Sequence, residues 1–184
     1  MEKVLLVDDE PLILKALVRL LQRTPCLCDG RLFKLELVTF TEPSKALEYA
    51  QNHQVSLVIS DYRMPGMDGV ELLTAIKTLQ PDAVRLIISG YADLNALINA
   101  INRAHIYRFV AKPWNDYELV ATIGQALRHR QLILENQRLA DLERVARGQL
   151  SDSELAVRQL EREAPGITKV NWAADGSVML DDEE

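Results

Sequence analysis

The chain has little cysteine and few aromatic residues. Of its 184 residues, 2 are cysteines, Cys26 and Cys28, and aromatic residues make up 5%. A Cys-x-Cys pair supplies too few ligands for a structural zinc site, and cysteines this close in a reducing compartment are poor disulfide partners. We therefore interpret both residues as loop thiols without an assigned role.

Long apolar runs are also missing. Hydrophobic residues make up 48% of the chain, yet no run approaches the roughly 20 residues that a membrane-spanning helix needs. The sequence opens with MEKVLLVDDE, in which acids directly follow a short apolar run. A signal peptide has a longer apolar core and a small-residue cleavage site. We expect a cytoplasmic protein that does not engage a membrane.

The net charge of −6 is unevenly distributed. Residues 1–147 carry 18 acidic and 18 basic side chains, whereas residues 148–184 carry 9 acidic and 3 basic ones. The acidic excess thus lies entirely in the last segment. Nucleic-acid binding depends largely on Lys and Arg, and a helix-turn-helix needs a basic recognition helix. We therefore predict no direct contact of this chain with nucleic acid.

Short apolar runs alternate with helical patterns along the chain. The unbroken runs suit strands buried on both faces of a parallel sheet, and the second and fifth runs, which alternate with polar residues, suit edge strands. This order predicts an α/β domain with a doubly wound, five-stranded parallel sheet. The five runs are Val4–Val7, Leu35–Phe40, Leu57–Ile59, Val84–Ile88 and Ile106–Ala111.

Helix start signals separate these runs. Asp68 and Glu71 have the spacing of a capping box, and Pro43 is a favoured early helical residue. Further helices are expected over 11–23, after Asp93 and after Asn115. The segment 24–33 is the longest connection, and we expect it to be a surface excursion.

The last helix has no stop signal before Gly148, which predicts an extended helix over 129–147. Within it, a heptad-like stripe favours a short coiled coil, although a solvated helix or one folded back on the domain is an open alternative. Residues 148–184 are predicted to form an acidic appendage, with a short helix capped by Ser151 and Glu154 and a hairpin around Asp175. The predicted domain itself covers residues 1–128. The stripe comprises Leu132, Asn136, Leu139 and Ala146.

Polar residues fall where the predicted strands end. In a parallel sheet these ends share one edge, which is where open α/β sheets bind ligands. Clustered carboxylates repel one another, and a hard divalent cation such as Mg²⁺ relieves that repulsion. A carboxylate, a metal, a lysine and a hydroxyl suit phosphoryl transfer, with aspartyl phosphate as a covalent product. The residues concerned are Asp8, Asp9, Asp61, Ser89 and Lys112.

Four motifs in this order resemble the response regulator receiver family. They are VDDE at 7–10, VISDYRMPGMDG at 58–69, LIISGYAD at 86–93 and YRFVAKPW at 107–114. The resemblance covers about residues 3–128 and implies a flavodoxin-like fold with strand order 2-1-3-4-5.

The resemblance also implies roles for individual residues. Asp61 would be the phosphoacceptor, Ser89 and Lys112 would contact the phosphoryl group, and Lys112-Pro113 would be a cis peptide. Phe109 would be the switch aromatic, with Tyr107 as the second choice. The implied Mg²⁺ ligands are Asp9, Asp61, the main-chain carbonyl of Arg63 and, partly through water, Asp8.

The implied function is that of a phosphorylation switch. Such a chain accepts its phosphoryl group from a sensor histidine kinase or a phosphotransfer protein, and catalyses only its own phosphorylation and dephosphorylation. We expect the C-terminal helix to control homodimer formation or the binding of a downstream protein. As the alternative, the chain is the receiver half of a regulator whose output is an enzyme or a DNA-binding partner not contained in it.

Overall fold

The computed structural model describes residues 1–90 and 104–163. Five parallel strands form one sheet, and two further short strands form a separate antiparallel hairpin. The order among the five sheet strands is 2-1-3-4-5, so the predicted fold and both edge strands are confirmed. The strands are β1 (Glu2–Val7), β2 (Cys26–Cys28), β3 (Arg31–Phe33), β4 (Leu35–Phe40), β5 (Leu57–Asp61), β6 (Val84–Ser89) and β7 (Arg108–Ala111).

The helices begin where their capping signals lie. In α3 the backbone N–H of Glu71 donates to Asp68 Oδ1 at 2.8 Å and the N–H of Asp68 donates to Glu71 Oε2 at 3.0 Å, which confirms the capping box. Asn115 caps α4 by accepting from the N–H of Tyr117 at 3.0 Å. The helix expected after Asp93 lies outside the described residues. The described helices are α1 (Pro11–Arg23), α2 (Pro43–Asn52), α3 (Gly69–Leu79), α4 (Asp116–Ala146) and α5 (Asp152–Glu163).

The core consists of two apolar layers, one on each face of the sheet. Successive strand residues point to opposite faces, so Leu6 belongs to the layer under α1 and α4, while Leu5 belongs to the layer under α2 and α3. Both side chains are fully buried. This is why the central strands read as unbroken apolar runs.

The segment 24–33 lies largely at the surface, as expected, with six of its ten residues exposed, but it is not an irregular loop. It forms the β2–β3 hairpin, in which Cys26 pairs with Phe33, and both side chains are buried in the layer under α1 and α4. Asp29 and Gly30 turn the chain with φ of +48° and +72°, values that suit a two-residue hairpin turn. Cys26 is therefore a core residue rather than a loop thiol.

The hairpin packs against the middle of α4. A methyl group at Gly124 would lie 3.0 Å from the backbone carbonyl oxygen of Leu27, so the absence of a side chain permits this approach. Beyond it, Arg128 Nε lies 3.4 Å from Asp29 Oδ2. The hairpin thus braces α4 close to the point where its extension begins.

The extension of α4 is continuous to Ala146, as the sequence predicts. Gly148, with φ of +68°, turns the chain, and α5 runs back beside α4. Asp141 on α4 is 2% exposed and accepts from Arg144 Nη1 at 3.0 Å and from Arg158 Nη1 of α5 at 2.9 Å. The capping contact of Ser151 and Glu154 is confirmed by an N–H to Oγ distance of 3.2 Å.

The heptad-like stripe faces away from the domain. Leu132 and Leu139 are 46% and 52% exposed, and at 3.6 residues per turn they lie opposite the side of α4 that carries Asp141. Asn136 and Ala146 are exposed as well. The coiled coil remains a prediction, and the hairpin expected near Asp175 lies outside the described residues. No described helix is long and apolar enough to cross a membrane.

Candidate functional site

The predicted site residues gather at the carboxyl edge of the sheet. Val7 pairs with Ser60 and Asp61 pairs with Ile88, so the ends of β1, β5 and β6 lie side by side. Asp61 and Ser89 are the last residues of their strands rather than the residues after them. Asp8, Asp61 and Ser89 are buried at this edge.

Lys112 joins two of the carboxylates. Its Nζ lies 2.6 Å from Asp61 Oδ1 and 2.7 Å from Asp8 Oδ2. The lysine follows β7, and its backbone N–H donates to the carbonyl oxygen of Ser89 at 2.9 Å, so the end of β6 also positions it. The Lys112-Pro113 peptide is cis, as predicted. One ammonium group therefore bridges two acids contributed by different strands.

Burial and pairing compete at this cluster. Burial raises the pKa of the Asp8 carboxyl above its ordinary value, against opposing hydrogen bonds from Lys112 and from the N–H of Glu10. Burial acts to lower the pKa of Lys112, but hydrogen bonds to Asp61 and Asp8 outweigh it, so that pKa is raised. Lys112 is therefore held firmly in its charged form beside both acids.

Backbone contacts fix the orientation of Asp61. The N–H of Arg63 donates to Asp61 Oδ2 at 2.7 Å, which leaves Oδ1 turned toward Lys112. On the other side, Gly69 begins α3 so close to the strand that a methyl group there would lie 2.0 Å from the carbonyl oxygen of Asp61. Ser60 Oγ donates to this same oxygen at 2.8 Å.

Ser60 and Gly69 were not among the predicted site residues. Gly69 stands in the quoted motif at 58–69, two residues before the capping glutamate Glu71. Its close approach to β5 could not be found from the sequence, because the signal for a helix start does not say what the helix start touches.

The two predicted aromatic residues lie on opposite faces of the sheet. Phe109 is half-buried and packs against the layer under α2 and α3. Tyr107 packs against the other layer, with its ring centroid 5.2 Å from that of His129 on α4. Tyr107 therefore faces the extended helix, whereas Phe109 faces away from it.

A divalent cation fits the chemistry of this donor set. Asp8 and Asp61 already share one positive group, the Lys112 ammonium, and hard carboxylate oxygens are what Mg²⁺ prefers. Asp9 is exposed. Three acidic, histidine or cysteine side chains do not converge on one point anywhere in residues 1–90 and 104–163. Backbone oxygen, such as the Arg63 carbonyl, and water would therefore have to complete the coordination.

Comparison with known proteins identifies the family. The model of the response regulator receiver domain matches residues 4–124, so the chain belongs to the response regulator receiver family. The predicted family assignment is thus confirmed over the α/β domain.

Two kinds of relative are informative. The chain is 37% identical over 140 residues to the hydrogenase transcriptional regulatory protein HoxA of Cupriavidus necator, which covers 76% of this chain and 27% of HoxA. It is 35% identical, with a TM-score of 0.65, to the signal receiver domain of an HD domain-containing protein from Pseudomonas fluorescens Pf-5, covering 73% of this chain and 92% of that one.

A third relative is a dimer. The beryllofluoride-activated NtrC4 receiver domain dimer matches with 27% identity and a TM-score of 0.61, over 71% of this chain and 99% of that one. The chain thus spans nearly all of the solved receiver domains but only about a quarter of the curated regulator HoxA.

Proposed function

We propose that this chain accepts a phosphoryl group on Asp61 from a sensor histidine kinase or a phosphotransfer protein. The observation that carries the proposal is the position of the Lys112 ammonium, 2.6 Å from Asp61 Oδ1 and 2.7 Å from Asp8 Oδ2. A cation already bound between two buried acids is suited to receive the oxygens of an incoming phosphoryl group.

Each residue of the site has a separate role in the transfer of the phosphoryl group. A carboxylate oxygen of Asp61 forms the new P–O bond while the bond from phosphorus to the donor atom breaks, and the donor leaves with that electron pair. The N–H of Arg63 holds the carboxylate in position. Lys112 exchanges its contact with Asp61 for one with a phosphoryl oxygen, and Ser89 donates a hydrogen bond to another. The chain catalyses no other reaction in this proposal.

Magnesium would be held by Asp8, Asp9, Asp61 and the main-chain carbonyl of Arg63. Bound there, it would neutralise the negative charge that gathers on the transferring group. Residue 9 contributes an exposed carboxylate, which can turn toward the cluster without breaking a core contact.

The direct test uses beryllofluoride, which mimics the phosphoryl group. Trp114 follows Lys112 by two residues and is half-buried, so we expect its fluorescence to change when wild-type protein binds beryllofluoride with Mg²⁺. Asp61→Ala should show no change. Glu48→Gln, which alters an exposed acid on α2, should behave as wild type. A full response in Asp61→Ala would refute the proposal.

We propose that the output runs through α4. The outward stripe that contains Leu132 and Leu139 is exposed, and it is the surface on which a second copy would pack to form a homodimer or a downstream protein would bind. Phe109 is the switch residue in this scheme, because it lies on the strand just before Lys112.

Light scattering tests the dimer. With Mg²⁺ and beryllofluoride we expect the molar mass of the wild type to rise toward twice its monomer value, and Leu132→Glu with Leu139→Glu to abolish the rise. Leu12→Glu, which alters a still more exposed leucine on α1, is the control. An unchanged rise in the double variant would show that another surface dimerises.

The second candidate is that the chain is one part of a longer regulator. It rests on the span of the match, which is 27% of HoxA and 27% of the C4-dicarboxylate transport transcriptional regulatory protein DctD of Rhizobium meliloti. In that case the enzyme or DNA-binding output lies in a partner segment. A phosphorylated chain that stays monomeric would favour it.

A further inference from the structure

A groove runs between α1 and the outer edge of β4. It has a volume of about 580 Å³. Its floor includes the apolar side chains of Leu14 and Val18, and threonines of β4 and the segment after it form the far wall. The lining also contains Lys15, Arg19 and Arg23.

The three basic residues form one positive ridge. They are four residues apart, so they lie along the same side of α1. All three are exposed, and no acidic residue lines the groove. In the part of the chain that the structure describes, none of the three makes a side-chain ion pair. Like charges at this spacing destabilise a helix slightly, so the ridge is suited to an external negative group.

The sequence contains a segment of matching chemistry. After residue 163 the chain carries one basic residue, Lys169, and it ends with Met179, Leu180 and then four consecutive acids at 181–184. An apolar pair followed by an acidic cluster complements an apolar floor beside a positive ridge. We propose that the C-terminal segment of this chain docks in the α1 groove, with residues 181–184 against the three basic side chains.

The chain can reach the groove. The end of α5 lies near the amino edge of the sheet, because Arg158 and Glu161 line a cavity with Pro81 and Ala83, just before β6. The carboxyl end of α1 lies at the same edge, where Arg23 and Leu35 line one pocket. The remaining 21 residues after Glu163 can extend about 70 Å, whereas α1 is only about 20 Å long.

Carbodiimide cross-linking of the full chain tests the docking. The reagent joins a lysine amine directly to a carboxylate, and Lys15 is the only lysine in the groove. We expect mass spectrometry of the monomer band to show Lys15 linked to residues 181–184. Salt of about 0.5 M should abolish the link, because charge interactions are then screened within about 4 Å.

Charge-reversal variants sharpen the test. Arg19→Glu with Arg23→Glu keeps Lys15 available, and we expect it to reduce the cross-link roughly five- to ten-fold, since two of the three exposed positive partners are replaced by negative ones. Arg138→Glu, which reverses an exposed charge on α4 outside the groove, should leave the yield unchanged. Circular dichroism verifies that each variant is folded.

Two results would overturn the proposal. If Lys15 forms no link to residues 181–184, the segment does not dock in the groove. If the link appears only in a covalent dimer, the occupant is the segment of a second copy and the segment does not dock in the groove of its own chain. Neither result bears on beryllofluoride binding at Asp61, so the proposed function is tested separately.

Discussion

Gly69 allows a direct test of how closely α3 packs against β5, the strand that ends at Asp61. Gly69→Ala adds one methyl group, which would lie 2.0 Å from the carbonyl oxygen of Asp61 and 3.0 Å from Ser60 Oγ. The nearest atom is backbone rather than the end of a flexible side chain. The start of α3 or the end of β5 must therefore move by more than 1 Å, on the order of the shift that restores ordinary contact.

The cost can be estimated from two opposing effects. Overpacking of this kind destabilises a fold by about 1–3 kcal/mol. Replacing glycine by alanine also restricts the unfolded chain, which stabilises the folded state by about 0.4–1 kcal/mol. Since the methyl group would meet backbone, the upper half of the overpacking range applies, and the net loss is about 1–2.6 kcal/mol, which lowers the Tm by roughly 2–10 °C for a chain of this size.

The variant should also perturb the site. Displacing the end of β5 moves Asp61 relative to Lys112, which it contacts at 2.6 Å, so beryllofluoride binding should weaken. Urea unfolding and Trp114 fluorescence measure the two effects. Gly90→Ala is the control, because its methyl would lie 3.9 Å from Lys112 Cβ, an ordinary contact. Equal stability of the two variants would refute the packing argument.

Three further predictions concern buried ionisable groups. Because burial raises the pKa of Asp8, its charge opposes folding, so Asp8→Asn should raise the Tm at neutral pH, with the difference shrinking as the pH falls through that raised pKa. Asp141→Ala removes the carboxylate that Arg158 of α5 contacts. Because the Arg158 guanidinium is half-exposed, we expect the contact between α5 and α4 to weaken by only about 1–2 kcal/mol, which trypsin would report as faster cleavage after Arg158. Burial raises the pKa of Cys26 to about 11, so iodoacetamide at neutral pH should modify Cys28 and spare Cys26 until the protein unfolds; equal labelling would contradict this.

Much of the α/β domain could be predicted because its signals are local. Apolar runs too short for helices identify the sheet strands, and the alternation in Leu35–Phe40 and Ile106–Ala111 marks the two edges that the structure confirms. The capping residues of α3 and α4 act within a few positions of themselves, so the helix starts could be read from the sequence. The convergence of Asp8, Asp61 and Lys112 follows from the parallel direction of the strands, since parallel strands end at one edge.

The β2–β3 hairpin is an element that the sequence patterns did not predict. Asp29-Gly30 is a strong turn signal, but the flanking strands have only three residues each, too short for a clear alternation. A hairpin this small is marginal by itself. It is stable here because Cys26 and Phe33 enter the core and because Gly124 lets the hairpin backbone approach α4, and neither contact is visible before the chain is folded.

The sequence by itself determined the five strands of the sheet, its two edge strands, the helix starts and the set of polar residues at one edge, because each depends on local patterns and on the geometry of parallel strands, whereas the full strand order came from the family resemblance. Only the tertiary structure decided which groups touch. It placed Lys112 between Asp8 and Asp61, brought Gly69 against the carbonyl of Asp61, and turned the stripe of α4 outward. These facts depend on distances between residues far apart in the chain, which side-chain packing sets and local propensity does not.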